Sequence, residues 1–235
     1  MFLDTYCTLI IIMQKATKFR FDCNSCRTRC DGKSKGKYNF KADLEVSENY
    51  GRILIEQINQ RTNKTAMKES DTPFPDLRIE TLDGKLCARV EVKVQQRTFM
   101  SIRQCLPLAD LYPSEAVALN KSDLLRYFEQ QKQATVPFYI VWVLTNRPCI
   151  VEHGKAMLFH QSVEALENIH ALAGDNRTFI RKRGEGDVVN GEPKGVIVNY
   201  HFSLSELIAG SEAFFKMIDE LVPGSLRIDQ KGFGS

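Results

Sequence analysis

Residues 76–95 read DLRIETLDGKLCARVEVKVQ, two runs of alternating apolar and polar residues around the pair Asp83-Gly84. Alternation with a period of two is typical of β-strands, and Asp-Gly is a pair that two-residue hairpin turns favour. The stretch therefore predicts a β-hairpin whose loop consists of Asp83 and Gly84. Counting outward from that loop places Asp76 directly opposite Glu91 on the neighbouring strand.

The facing strands of this hairpin carry acidic side chains at opposed positions. Directly opposed Cβ atoms lie roughly 4.5 to 5.5 Å apart, which is close enough for two carboxylates to hold one hard cation. Strand side chains alternate, so Glu91, Lys93 and Gln95 share one face while the intervening valines point into the core. Like charges at opposed positions repel, and such a local conflict is typical of a functional site. Mg²⁺ would resolve it, with the Lys93 ammonium placed to orient or deprotonate an attacking water.

Segments on both sides of the hairpin alternate between helical and strand-like patterns. VPFYIVWVLT at 136–145 is a near-continuous apolar run, typical of a central strand buried on both faces, and its aromatic residues are interpreted as core. GVIVNYHF at 195–202 predicts a late strand. Helices are predicted at about 48–61 with Ser47 as the N-cap, at 122–133, at 162–173, and from a capping box of Ser203 and Glu206 to about Leu221. Together these patterns predict one α/β core.

Pro75-Asp76, fourteen further residues and Glu91-Val92-Lys93 resemble the PD-(D/E)XK motif of the restriction-endonuclease-like nuclease superfamily. The order of elements over about a hundred residues is also similar, with a helix, a hairpin, a second helix and a further core strand. The resemblance implies an α/β fold, a restriction-endonuclease-like core with a mixed central sheet and a catalytic hairpin flanked by helices.

The resemblance also implies a set of metal ligands for Mg²⁺. In such enzymes the Asp and Glu side chains and the carbonyl of the middle residue bind the metal. The ligands here would therefore be Asp76, Glu91 and the Val92 carbonyl. Many members also place a Glu on the first helix facing the metal, and Glu56 is the candidate for it, with Glu48 as the alternative.

These features predict a Mg²⁺-dependent DNA endonuclease that hydrolyses phosphodiester bonds, with Asp76, Glu91, Lys93 and Glu56 as catalytic residues. A type II restriction-like enzyme is the first interpretation, since the chain has no helicase or ATPase motif and has sequence after Thr145 for a recognition surface or a homodimer interface. A recombination or repair nuclease, such as a junction resolvase, is the alternative within this class. The alternative outside it is a non-catalytic DNA-binding module that uses the basic, cysteine-rich segment, with incidental hairpin carboxylates. In the simplest alternative to a catalytic site, the hairpin faces solvent and its charges are ordinary.

The first 37 residues are predicted to form a basic, cysteine-rich element ahead of a nuclease core with a C-terminal extension at 38–235, and the polar run DGKSKGK at 31–37 marks the boundary. Between Lys15 and Lys41 nine basic residues stand against two acidic ones. Basic side chains supply phosphate contacts to DNA, and a solvated surface is the ordinary alternative. The candidate DNA contacts are Arg27, Arg29, Lys33, Lys35 and Lys37 in this element, Arg181, Lys182 and Arg183 later in the chain, and Gln95 for a phosphate or a base.

Three cysteines of the basic element, Cys23, Cys26 and Cys30, have the spacing C-x2-C-x3-C. The first interval suits two thiolates on one tetrahedral zinc ion, and an iron-sulfur cluster is a second possibility. The fourth ligand would have to come from Cys7, a distant cysteine, a histidine or a second subunit. Plain reduced thiols are the alternative to any metal.

The composition is that of a soluble globular protein, since 43% of the 235 residues are hydrophobic and 26% are charged. The net charge of +3 is too small to indicate a nucleic-acid partner by itself. The apolar run near the start lacks the flanks of a signal peptide and is too short to span a bilayer. A cytoplasmic protein with no membrane segment is therefore expected, and Met13 is an alternative first residue.

Overall fold

The computed structural model describes residues 18–26, 40–70, 75–145, 147–180, 188–189, 192–193 and 197–225. Helices and strands alternate along these residues. The helices are α1 (Phe40–Arg61), α2 (Ile102–Cys105), α3 (Lys121–Gln133), α4 (Val163–Ala173) and α5 (Ser211–Glu220). The strands are β1 (Lys64–Lys68), β2 (Leu77–Thr81), β3 (Leu86–Gln95), β4 (Ala116–Asn120), β5 (Phe138–Leu144), β6 (Met157–Ser162), β7 (Thr178–Ile180), β8 (Val188–Val189), β9 (Glu192–Pro193), β10 (Val198–Ser203) and β11 (Ile208–Ala209).

The main sheet has six strands in the order β1-β2-β3-β5-β6-β11. Strands β3 and β5 are parallel and the other neighbours are antiparallel, so the sheet is mixed. A second sheet has the order β4-β10-β7, and β8 pairs with β9. The chain is therefore a mixed α/β protein, as the sequence predicted.

Strand β5 is buried on both faces of the main sheet. Phe138, Ile140 and Trp142 pack into a hydrophobic cluster with α3, α4 and β10. Val141 and Val143 pack into a second cluster with α1 and α5. The prediction of a central strand from the apolar run is thus confirmed, and helices cover both faces of the main sheet.

The predicted hairpin is present as β2 and β3, but its turn differs from the prediction. Leu77 pairs with Val90, in the predicted register, whereas Glu80 pairs with Leu86 because the register shifts between Ile79 and Glu80. The loop holds three residues rather than two, since the Thr81 amide donates to the Lys85 carbonyl at 2.9 Å. Gly84 has a φ of +80°, the left-handed conformation that closes a three-residue hairpin loop. The extra loop residue is compensated by the shift within β3, so the register far from the turn is unchanged.

Two predicted helix starts are wrong. Helix α1 begins at Phe40, so Ser47 lies inside it, because residues 40–46 contain no glycine or proline and are mostly good helix formers. The capping box of Ser203 and Glu206 is present, but it starts only a short 3-10 helix at Leu204–Glu206. The chain then forms β11 and turns at Gly210, whose φ is +106°, before α5 begins.

The described part of the N-terminal element, residues 18–26, packs directly on the core. Phe19 is 7% exposed and belongs to the same hydrophobic cluster as β5. Its ring makes an edge contact with Phe159 at a centroid distance of 5.4 Å. In the described parts of the chain no helix is both long enough and apolar enough to cross a lipid bilayer.

Candidate active site

Strands β2 and β3 bring three of the four predicted catalytic side chains together. Glu91 and Lys93 lie on β3, and Asp76 lies one position before β2, whose first residue pairs with Val90. Oδ2 of Asp76 accepts a hydrogen bond from the Val92 amide at 2.8 Å. This bond holds Asp76 against β3 beside Glu91.

The Glu91 carboxylate is buried, with only 1% of the residue exposed. Its Oε1 lies 2.6 Å from Nζ of Lys93 and accepts a hydrogen bond from the Tyr127 hydroxyl at 2.7 Å. Its Oε2 is buried without a hydrogen-bond partner among the described residues, an arrangement that is costly for a carboxylate. Glu91 is therefore a buried charge and not the solvent-facing one of the alternative interpretation.

The pKa of Asp76 reflects the crowding of negative charge at the site. Burial raises this pKa, and the charge of Glu91 raises it further. The hydrogen bond from the Val92 amide and the positive charges of Lys93 and Lys68 act in the opposite direction, but the net direction is upward. The Val92 amide and the two lysines therefore do not fully offset the effects of burial and of the Glu91 charge on Asp76, and a divalent cation beside this carboxylate would oppose both effects.

Lys93 connects this buried pair to solvent. Its side chain is 29% exposed, and its ammonium lies 5.8 Å from the centroid of the Tyr127 ring. Burial and the charge of Glu91 raise the pKa of Tyr127, so the hydroxyl stays protonated and donates. Lys93 also lines a cleft of about 380 Å³. The other polar side chains along the cleft are Asp43, Ser47, Gln95, Gln96, Arg97, Asn120, Asp123 and Asn199.

The sequence did not predict two of the side chains at the site. Tyr127 belongs to the apolar side of α3, and nothing in its spacing signals that its hydroxyl reaches Glu91. Asp43 lies on the first helix and lines the cleft, and its Oδ2 is 3.7 Å from Nη2 of Arg97. It was missed because the helix was predicted to begin after Ser47, although the two residues are one helical turn apart and share a side.

The acidic residue predicted on the first helix does not join the carboxylate pair. Glu56 is half exposed and pairs with Arg52 at 3.0 Å, and Glu48 is exposed. Glu56 stands two positions from both Leu54 and Ile58, which are buried, so it points to the opposite side of α1. Across the described ranges, no three His, Cys, Asp or Glu side chains are placed to hold one metal ion.

Gln95, predicted to contact a phosphate or a base, has both ends of its amide in contact with the main chain. Nε2 donates to the Arg97 carbonyl at 2.7 Å, and Oε1 accepts from the Ala118 amide at 3.5 Å. Gln95 thus joins the end of β3 to β4 at the cleft. Its contact with DNA stays a prediction.

Several other predicted site residues lie outside the described residues. They are Cys30, Arg27, Arg29, Lys33, Lys35, Lys37, Arg181, Lys182 and Arg183. Cys23 and Cys26 are described, and both are partly buried. Comparison of the chain with protein-family models, curated proteins and solved structures finds no significant match.

Proposed function

We propose that this chain is a Mg²⁺-dependent DNA endonuclease with a restriction-endonuclease-like core. The observation that carries the proposal is the arrangement of Asp76, Glu91 and Lys93. Two carboxylates on facing strands meet beside one ammonium, which lines an open cleft. Hydrolysis of a phosphodiester requires positive charge near the phosphate and an oriented water, and this arrangement provides for both.

The oxygen donors of the site fit Mg²⁺ better than they fit a soft metal. Mg²⁺ binds through one or two carboxylates and keeps several waters, so Asp76 and Glu91 suffice without a third acid. Oε2 of Glu91, which has no hydrogen-bond partner among the described residues, would be one ligand, and the resemblance to PD-(D/E)XK nucleases adds the Val92 carbonyl. When bound, Mg²⁺ would polarise the phosphate and lower the pKa of a coordinated water.

Lys93 and Tyr127 both contact Oε1 of Glu91, which leaves Oε2 in a fixed orientation. In the proposed reaction a water oxygen forms a bond to phosphorus and the water gives up one proton to solvent. The bond to the leaving sugar oxygen breaks, and that oxygen takes up a proton from solvent. The Lys93 ammonium orients the water and offsets the negative charge that develops on the phosphoryl oxygens.

Incubation of the purified full-length chain with plasmid DNA and Mg²⁺ tests this proposal. We expect cleavage that stops when a chelator is added. Fixed fragments from linear duplex DNA would support a type II restriction-like enzyme, whereas cutting of branched junctions of arbitrary sequence would indicate a recombination or repair nuclease.

Variants of the site residues separate catalysis from a contaminating nuclease. Lys93→Ala should lower the cleavage rate by about 10²- to 10⁴-fold, the range typical of a lost catalytic group, and Asp76→Ala should abolish cleavage, while DNA binding stays within a few-fold. Lys85→Ala is the matched control, because Lys85 is an exposed lysine at the hairpin turn that pairs with Asp83. Cleavage by Lys93→Ala at the rate of the control would overturn the proposed centre, and DNA binding without any cleavage would favour a non-catalytic DNA-binding module.

A further inference from the structure

Three thiols, two from the N-terminal segment and one from the core, line one small cavity. Cys23 and Cys26 belong to the N-terminal segment, Cys149 belongs to the turn after β5, and all three line a cavity of about 320 Å³. The remaining lining residues are Phe21, Asp22, Ser25 and Met100. The C-x2-C pair and a cysteine from the core therefore line the same partly open cavity.

The N-terminal segment is held in place by contacts that immediately precede its cysteines. The Ser114 hydroxyl donates to the Phe19 carbonyl at 2.7 Å and accepts from the Phe21 amide at 3.0 Å. Arg20 forms an ion pair of 3.0 Å with Glu115, which is fully buried. These contacts fix the main chain leading into Cys23 on the residues just before β4.

The turn that carries Cys149 is held on the same stretch of chain. Arg147 is 1% exposed and donates to the carbonyls of Ser114 and Ala116 at 2.9 and 2.5 Å. The Ile150 amide donates back to the Arg147 carbonyl at 2.8 Å. Both thiol-bearing segments are thus anchored to residues 114–116, so the fold places all three cysteines around one cavity.

The loop between the first two cysteines has the geometry of a turn. Oδ1 of Asp22 accepts from the Asn24 amide at 3.0 Å, and Oδ2 accepts from the Ser25 hydroxyl at 2.7 Å. These bonds bend the chain between Cys23 and Cys26. A bent C-x2-C loop is the usual way in which two thiolates reach one tetrahedral metal ion.

We propose that Cys23, Cys26 and Cys149 bind a thiolate-preferring divalent cation, for which Zn²⁺ is the best fit. Soft thiolate ligands select zinc over hard cations, and the apolar lining from Phe21 and Met100 strengthens attraction between thiolate and cation. In the residues that the structure describes, no three donors are yet close enough to share an ion, so binding turns the three thiols toward one another. Cys30 lies outside the described residues and takes no part in this proposal.

Titration of the full-length chain with Co²⁺ tests the proposed site, after the protein has been stripped with a chelator under reducing conditions. Thiolate ligands give Co²⁺ an intense near-ultraviolet charge-transfer band, which carboxylates do not produce. We expect this band to reach its full intensity at one equivalent of Co²⁺ per chain and to disappear when Zn²⁺ displaces the Co²⁺. Cys149→Ser should reduce the band by about a third and weaken binding by about tenfold or more, since each thiolate contributes to affinity.

Matched variants keep the test decisive. Cys105→Ser should bind like the wild type, because Cys105 is exposed and is not among the residues that line the cavity. Cys23→Ser provides the same test should Cys149→Ser fail to fold. Asp76→Ala should retain the thiolate band, so this outcome is independent of the nuclease proposal. A wild-type protein without the band, or an unchanged band in folded Cys149→Ser, would overturn the inference.

Discussion

The hydroxyl of Tyr127 lies 2.7 Å from Oε1 of Glu91, and the two residues are 0% and 1% exposed. Tyr127 comes from α3 and Glu91 from β3, so this contact ties the proposed catalytic strand to the helix layer above it. Because burial and the charge of Glu91 raise the pKa of Tyr127, the phenol remains a donor throughout the physiological range.

Removal of the Tyr127 hydroxyl should lower both the stability of the folded protein and the rate of cleavage. Tyr127→Phe keeps the ring but leaves Glu91 with one fewer hydrogen bond. Hydrogen bonds to charged groups contribute about 1.5 to 3 kcal/mol, so we expect a loss of that order in the free energy of unfolding, measured by urea denaturation with chelator present. Cleavage should slow without disappearing, because Lys93 still contacts Glu91.

Tyr200→Phe is the matched control for this prediction. Tyr200 is also fully buried, but its hydroxyl has no hydrogen-bond partner among the described residues. Removal of an unpartnered buried hydroxyl should be neutral or slightly stabilising. Equal destabilisation by the two changes would show that the contact between Tyr127 and Glu91 contributes nothing specific.

Asp76→Asn should stabilise the metal-free protein while abolishing cleavage. The pKa of Asp76 is raised in the folded state, so the stability that this group contributes is present at low pH and is lost as pH rises through that pKa. At pH 7 the charged form opposes folding, and Asn removes the charge while keeping an acceptor for the Val92 amide. We expect a higher melting temperature, by about 2 to 4 °C for each kcal/mol gained.

Added Mg²⁺ should reverse this order of stabilities. A cation that binds only the folded state stabilises it by mass action, so Mg²⁺ should raise the melting temperature of the wild type and leave that of Asp76→Asn unchanged. Asp83→Asn serves as the control, since Lys85 and Thr81 lower the pKa of Asp83 to about 2. A melting temperature of Asp76→Asn at or below that of the wild type in chelator would contradict the prediction.

The sequence predicted best those features of the fold that depend on residues close together along the chain. The hairpin, the buried strand β5 and the meeting of Asp76 with Glu91 depend on a period of two and on local turn chemistry, and these predictions agree with the structure. The loop length was wrong because Gly84 fits a two-residue and a three-residue loop equally well. The later shift in β3 left no trace in the pattern of hydrophobic residues.

Tertiary contacts account for what the sequence did not predict. The hydrogen bond from Tyr127 joins residues of two different layers, and no spacing along the chain encodes it. The capping box of Ser203 and Glu206 was recognised correctly, but the pairing of Ile208 with His160 drew the next residues into the edge of the main sheet. The proposed thiol site likewise depends on Cys149, which only the folded chain brings to the N-terminal segment.

Because two histidines are buried, we expect the free energy of unfolding to fall in mild acid. Burial lowers the pKa of His160 and of His201 to about 4, from an ordinary value of 6.5. Between these values the unfolded chain binds protons that the folded chain does not, so stability falls as pH drops from about 6.5 to 4. Each pKa unit corresponds to about 1.4 kcal/mol, so each histidine should contribute a loss of about 3 kcal/mol by pH 4.

Urea denaturation at a series of pH values measures this loss. His160→Leu should flatten the dependence of unfolding free energy on pH by about one proton, since neither ring nitrogen of His160 has a hydrogen-bond partner among the described residues. His153→Gln is the control, because His153 is exposed. An unchanged pH dependence in His160→Leu would show that this histidine titrates normally in the folded protein.

Because Phe19 is buried in the core, we expect the N-terminal segment to unfold together with the core and not as a separate element. Phe19→Ala removes a ring that packs in the core against Phe159, and such truncations cost about 3 to 5 kcal/mol. Phe21→Ala is the matched control, because Phe21 is 40% exposed and should change stability by no more than about 1 kcal/mol. Equal small effects in denaturant unfolding would instead support a separate N-terminal element.

Glycine-to-alanine changes at two positions should alter stability in opposite directions. Gly84 has a φ of +80° in the hairpin loop, where a Cβ costs about 1 to 2 kcal/mol, so Gly84→Ala should destabilise the protein. Gly51 lies inside α1 with nothing within 4 Å of an added Cβ, so Gly51→Ala should stabilise it by roughly 0.5 to 1 kcal/mol. Because the contact between Asp76 and Val92 lies at the far end of the hairpin, neither change should alter cleavage per folded molecule. Stabilisation by Gly84→Ala would rule out the left-handed conformation of Gly84 on which the three-residue loop depends.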